Sequence, residues 1–161
     1  MTVTKLQIAA AVAVALVGAT GILVRVKRIS PVGWGWYGQT ETSGGLAAHG
    51  YDVVAYRSAG AVQGLADYTS SWHGATWRFS GAANKAAFDA NPESFAPAFD
   101  GYCSYAASKG FTAKVDPTAF RVEGDKLYLF NDASMRDKWV SELGDSVIAR
   151  GVANWRSRPA P

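Results

Sequence analysis

Gly50-Tyr51-Asp52-Val53-Val54-Ala55-Tyr56 is answered about fifty residues later by Gly101-Tyr102-Cys103-Ser104-Tyr105-Ala106. The second run carries the only cysteine of the chain, so any thiol, metal or redox chemistry of a single copy passes through Cys103. One cysteine excludes an internal disulfide, a CxxC redox pair and a multi-thiolate zinc site within one chain. A disulfide between two copies stays open.

Outward from these runs, turn and cap signals divide the chain into short elements. Residues 51–56 read as a strand-like run, and residues 67–79 alternate as a hairpin whose turn is His73-Gly74. Ser80 is placed to cap a helix through Ala90, which Asn91-Pro92 ends. Residues 94–98 read as a loop, 102–108 as a short helix stopped by Gly110, and 120–130 as a second hairpin turning at Gly124-Asp125. Asp132 caps a helix to about Leu143 and Gly144 breaks it; Asp145 then caps a last helix with Val147, Ile148, Val152 and Trp155 on one face. The fold class expected is α+β, made of β-hairpins with short helices, with no internal repeat.

Residues 6–24 run nineteen positions without a charge, and only Gln7 and Thr20 interrupt them with polar groups. At about 1.5 Å per residue a helix of that length crosses a bilayer core. Arg25, Lys27 and Arg28 follow, then Trp34, Trp36 and Tyr37 as a candidate interfacial aromatic group. The expectation is therefore one N-terminal transmembrane-type helix, with residues 1–28 as the anchor of a single-pass membrane protein. The cations after the apolar run lean towards a cytoplasmic domain, although the side of the membrane stays open. The alternatives are a cleaved signal segment, cut at Val17-Gly18-Ala19 and followed by export, and a buried helix of the globular domain. Residues 29–44, rich in Gly, Ser and Thr, read as a linker, and the domain is expected over residues 45–161.

The 161 residues include 16 basic and 13 acidic ones, a net charge of +3. Lys5, Arg25, Lys27 and Arg28 precede residue 29, and every acidic residue follows Gly38. The remainder thus holds twelve basic against thirteen acidic residues, which leaves no basic patch to neutralise phosphates and argues against a nucleic-acid partner. The six Trp, seven Tyr and seven Phe supply core and sheet-surface area.

Cys103 opens a helix after a glycine, where the helix N-terminus could lower its pKa and make it a metal ligand or a reactive thiolate. A small buried hydrophobe is the other reading. His49, beside the flexible Gly50, is a second candidate ligand, whereas His73 reads as an exposed turn residue. Asp52 is the third, with a turn aspartate accepting backbone N–H groups as its alternative. Cys103, His49 and Asp52 suit copper or zinc in ligand type, and they need a fourth ligand from water, a small molecule or a second subunit. Tyr51, Tyr56, Tyr102 and Tyr105 are candidates for the wall of one ligand pocket, with plain core packing as the alternative. Cys103 with His49 also outlines a nucleophile and base. No phosphate loop, nucleophile elbow or carboxylate-rich helix accompanies them.

The two opening runs resemble the YHS-domain family, which carries Gly-Tyr-Asp-Pro-Val-Ala-Tyr and later Gly-Tyr-Cys-x-Tyr-Ala. The likeness extends over residues 46–155 through Trp72-His73-Gly74-Ala75-Thr76-Trp77-Arg78-Phe79, Asn84 with Phe88, Asn91-Pro92-Glu93, Asp116-Pro117 with Phe120, Gly124-Asp125-Lys126-Leu127-Tyr128-Leu129, and Asn154-Trp155. It implies a small α+β module related to treble-clef-like domains, with copper or other heavy-metal binding as its activity. The chain departs from the family at Val53, where a proline is usual, and it lacks the Cys-Gly-Met type phrase that supplies a further thiolate. The expectation is a membrane-anchored, non-enzymatic module binding copper or zinc through Cys103. Alternatives are a small-molecule or protein-interaction domain with a structural Cys103 and, third, a cysteine-dependent enzyme.

Overall fold

The computed structural model describes residues 29–34, 37–143 and 146–159. In chain order the strands are β1 (Ser30–Pro31), β2 (Thr42–Ser43), β3 (Leu46–Ala47), β4 (Leu65–Trp72), β5 (Ala75–Phe79), β6 (Phe111–Thr112), β7 (Asp116–Glu123) and β8 (Lys126–Phe130). The helices are α1 (Ala82–Ala90), α2 (Pro92–Phe95), α3 (Ser104–Ser108), α4 (Ala133–Ser141) and α5 (Val147–Arg156).

Turn chemistry builds the two long hairpins. His73 and Gly74 both take positive φ, 48° and 71°, as the tight turn between antiparallel β4 and β5 demands; His73 is exposed and its ring stacks on Trp72. Gly124-Asp125 turns β7 into β8, and Gly124 has φ 58°. β5 pairs on its other side with β3, in parallel, to give the sheet order β2-β3-β5-β4. Along β5 burial alternates, with Ala75, Trp77 and Phe79 inward, as the period of a strand requires. Trp77 and Phe79 meet the buried Phe88 of α1 at ring-centroid distances of 5.1 and 5.0 Å. β8 instead buries four successive residues, Leu127 to Phe130, because α4 covers one side with Trp139, 4.8 Å from Tyr128 and 5.4 Å from Phe130.

Of residues 29–44, read as a linker, the described ones are built into the fold. β1 pairs with β6, β2 pairs with β3, and Val32, Thr40 and Glu41 are buried. Small polar residues there serve tight turns and buried hydrogen bonds, a composition that also describes a loose tether. The run 51–56 is not a strand either: Tyr51 makes an isolated bridge to Gln63, and residues Ala55–Arg57 form a 3-10 turn.

The expected transmembrane-type helix and the single-pass localisation are corrected. The longest helix among the described residues, α5, has ten residues and rises about 15 Å, half of a hydrocarbon core of about 30 Å. No helix among the described residues is long and apolar enough to cross a membrane. The fold they form is mixed α and β, in sheets and short helices. The apolar run 6–24, the aromatic Trp36, the Gly144 break and the Asp145 cap lie outside the described residues.

Gly64, just before β4, lies close against the backbone of β5. A Cβ built there would lie 2.5 Å from the backbone carbon of Arg78 and 2.7 Å from its carbonyl oxygen. Neither atom can swing aside, so Gly64→Ala is expected to cost about 1–3 kcal/mol. Gly33→Ala, with nothing within 4 Å, should stay within about 0.5 kcal/mol. Urea denaturation of the two variants checks the contrast.

Candidate functional site

The two opening runs are entered by the same backbone device. Ala48, His49 and Gly50 have φ of 44°, 51° and 84°; Phe99, Asp100 and Gly101 have 56°, 49° and 84°. In each turn the following tyrosine N–H returns to the first of the three, Tyr51 to the Ala48 carbonyl at 2.9 Å and Tyr102 to the Phe99 carbonyl at 3.0 Å. Left-handed backbone at a residue with a Cβ costs about 1–2 kcal/mol, and four such residues stand here. Glu41, 2% exposed, holds both turns. Its carboxylate takes a hydrogen bond from His49 Nε2 at 3.0 Å, and its backbone N–H donates to the Asp100 carbonyl at 2.9 Å. Each turn then aims the residue after its tyrosine inward: Asp52 is 0% exposed and Cys103 1%.

Asp52 is fully engaged. Oδ2 accepts from the Ser80 N–H at 2.7 Å, the Ser80 hydroxyl at 2.6 Å and Asn84 Nδ2 at 2.7 Å. Oδ1 accepts from the N–H groups of Val54 and Ala55 at 2.9 and 3.3 Å. Burial pushes its pKa up, but the bonds from Ser80, Asn84 and Val54 together outweigh burial and hold the carboxyl below its ordinary value. Ser80 is therefore not the helix cap; Gly81 occupies that position, and Ser80 is spent on Asp52.

Cys103 sits just ahead of α3, with its N–H on the Ala113 carbonyl at 3.0 Å and its Sγ accepting from the Asn131 N–H at 3.3 Å. Burial pushes the thiol pKa up, helped by the charge of Asp132, against the smaller opposing pull of the Ala106, Asn131 and Tyr105 backbone groups. Cys103 lines a largely apolar cavity of about 300 Å³ with Tyr105, Ala106, Phe111 and Met135. Neither His49 nor Asp52 lines that cavity. No group of three or more His, Cys, Asp or Glu side chains among the described residues is arranged to hold a metal ion. The donor set Cys103, His49 and Asp52 does not fit copper or zinc as placed: Cys103 lines a cavity that the other two do not reach, and those two are bonded elsewhere.

Nor do the four tyrosines share one pocket. Tyr56 packs on Phe120 and donates to the Pro117 carbonyl at 2.8 Å, whereas Tyr102 packs on Tyr37 and Trp155 and donates to the Gly38 carbonyl at 3.0 Å. Tyr105 lines the Cys103 cavity and donates to Glu142 at 3.3 Å, and Tyr51 is half-buried against the core.

A larger concavity, about 500 Å³, opens between the Phe99 turn, β8 and α5. Phe99, Tyr128, Val152 and Trp155 give it apolar walls, and Lys126, Arg156 and Arg158 line it as well. Gly151 lets the helix approach: a Cβ there would stand 2.7 Å from Phe99 Cζ. Arg158 pairs with Asp100 and lies over the Trp155 ring, 5.0 Å from its centroid. The chain matches no family model, no curated protein and no solved structure.

Sequence reading missed this concavity. The placing of Val152 and Trp155 on one helix face was its visible half; Phe99 and Lys126 join them only through the tertiary packing of β8 and a strained turn.

Asp52 carries a pH signature. Its folded pKa lies below the unfolded value of about 3.9, so the stability it adds is complete above that value and is lost as pH falls through the folded pKa. Asp52→Asn turns an amide NH2 toward groups that are themselves donors. It is expected to cost about 2–4 kcal/mol at pH 7, with the gap to wild type narrowing below about pH 4. Urea denaturation at pH 7 and pH 3 measures both.

Proposed function

We propose that residues 46–155 form a YHS-like module that binds a small organic ligand and performs no chemistry on it, with Cys103 as a structural thiol. The ordered motifs from Gly50 to Trp155 support the family reading. The observation that carries the function is the concavity of about 500 Å³ beside Trp155, within the range of about 300–1,000 Å³ usual for ligand sites. Its aromatic walls offer area, and its charged lining offers orientation.

The metal reading is weakened by the same geometry. Cys103 lines a cavity that neither His49 nor Asp52 lines; His49 is engaged by Glu41, and Asp52 by Ser80 and Asn84. An enzymatic thiol needs a base beside it, and His49 does not line the Cys103 cavity.

In reduced, full-length protein, millimolar 1-naphthaleneacetamide is expected to shift the Trp155 indole N–H resonance, assigned by its loss in Trp155→Phe. Equimolar Zn(II) or Cu(I) should not be retained. Stoichiometric metal uptake that disappears in Cys103→Ala would contradict the reading and restore the metal module.

A further inference from the structure

We propose that the Trp155 concavity selects organic anions, a carboxylate carried on an apolar body, with Lys126 and Arg156 reading the charge; this rests on the organic-ligand reading above. Among the described residues three cations line the cavity and no carboxylate does. Asp100, whose charge reaches Lys126, is taken up by Arg158 and by the Trp155 indole N–H at 3.4 Å. Arg158 is thereby fixed as a roof over the indole, and its charge is largely answered.

The other two cations are not answered in this way. Lys126 donates to the backbone carbonyl of Glu93 at 3.0 Å, and neither Lys126 nor Arg156 forms an ion pair with a carboxylate among the described residues. Burial, with Arg57 nearby, pulls the Lys126 pKa down against the charges of Asp100 and Glu93. A half-buried ammonium of that kind gains from an incoming anion. Arg156 is exposed at the cavity, and its planar fork suits a carboxylate held by two N–H bonds, while Lys126 acts as a point charge. Phe99, Tyr128 and Trp155 would take the apolar body, a division of labour common to ligand sites. The domain as a whole is close to neutral, so this attraction is local to the cavity.

The test compares 1-naphthaleneacetate with its neutral isostere 1-naphthaleneacetamide by calorimetry on the full-length chain at low ionic strength. The carboxylate is expected to bind about tenfold more tightly than the amide. Lys126→Gln and Arg156→Gln should each weaken the carboxylate about threefold to tenfold and weaken the amide markedly less, so that the preference for the carboxylate shrinks. Lys126→Gln keeps a donor for the Glu93 carbonyl, and unchanged melting temperatures verify that both variants fold. Equal affinity for the two compounds, or variants that bind the carboxylate normally, would overturn anion selection while leaving the organic-ligand module standing. If neither compound binds and the Trp155 resonance does not move, both readings fall.

Discussion

A carboxylate buried with no cation paired to it among the described residues organises this fold. Asp52 lies wholly inside and is held by five donors from Val54, Ala55, Ser80 and Asn84. A buried charge is tolerated only when hydrogen bonds replace its lost hydration, and these bonds do so while joining three places in the chain. They fix the turn after Gly50, the junction where β5 gives way to α1, and the first turn of α1 itself. Trp77, Phe79 and Phe88 then have one arrangement in which to pack. Removing the carboxylate would take from those N–H and O–H groups the acceptor that now pairs them.

The second constraint is the pair of left-handed turns. Four non-glycine residues sit in a backbone region they disfavour, and Glu41 holds both turns from between them. One turn places Asp52 and the other places Cys103; the second also swings Phe99 toward α5 and Asp100 toward Arg158. The structural turn and the candidate ligand cavity are thus one piece of backbone, and loosening Glu41 would be felt at both.

Much of the hairpin framework was legible because it depends on local chemistry. His73-Gly74 and Gly124-Asp125 turn the strands, Asn91-Pro92 ends α1, and Asp132 caps α4 by accepting from the Met135 N–H at 2.9 Å. What was not legible depends on partners distant in sequence. Ser80 has the appearance of a cap until Asp52, 28 positions away, claims its hydroxyl. Residues 29–44 have the composition of a tether, yet Thr112 Oγ1 reaches back 82 positions to the Ser30 carbonyl. The ligand candidates Cys103, His49 and Asp52 were chosen for residue type, and the fold gives each a different neighbourhood. The cavity joins Phe99 to Trp155, a contact with a ring-centroid distance of 5.7 Å and no local sequence signature.

The dependence of the fold on Asp52 is tested most directly by native-state hydrogen exchange at the Ser80 and Val54 amides, both of which donate to its carboxylate. They should exchange only through global unfolding, with protection matching that of core β5, and in Asp52→Asn they should open locally while β5 remains protected. If both amides exchanged as fast as the exposed Gly33 amide in the wild-type protein, Asp52 would not be the anchor of this structure.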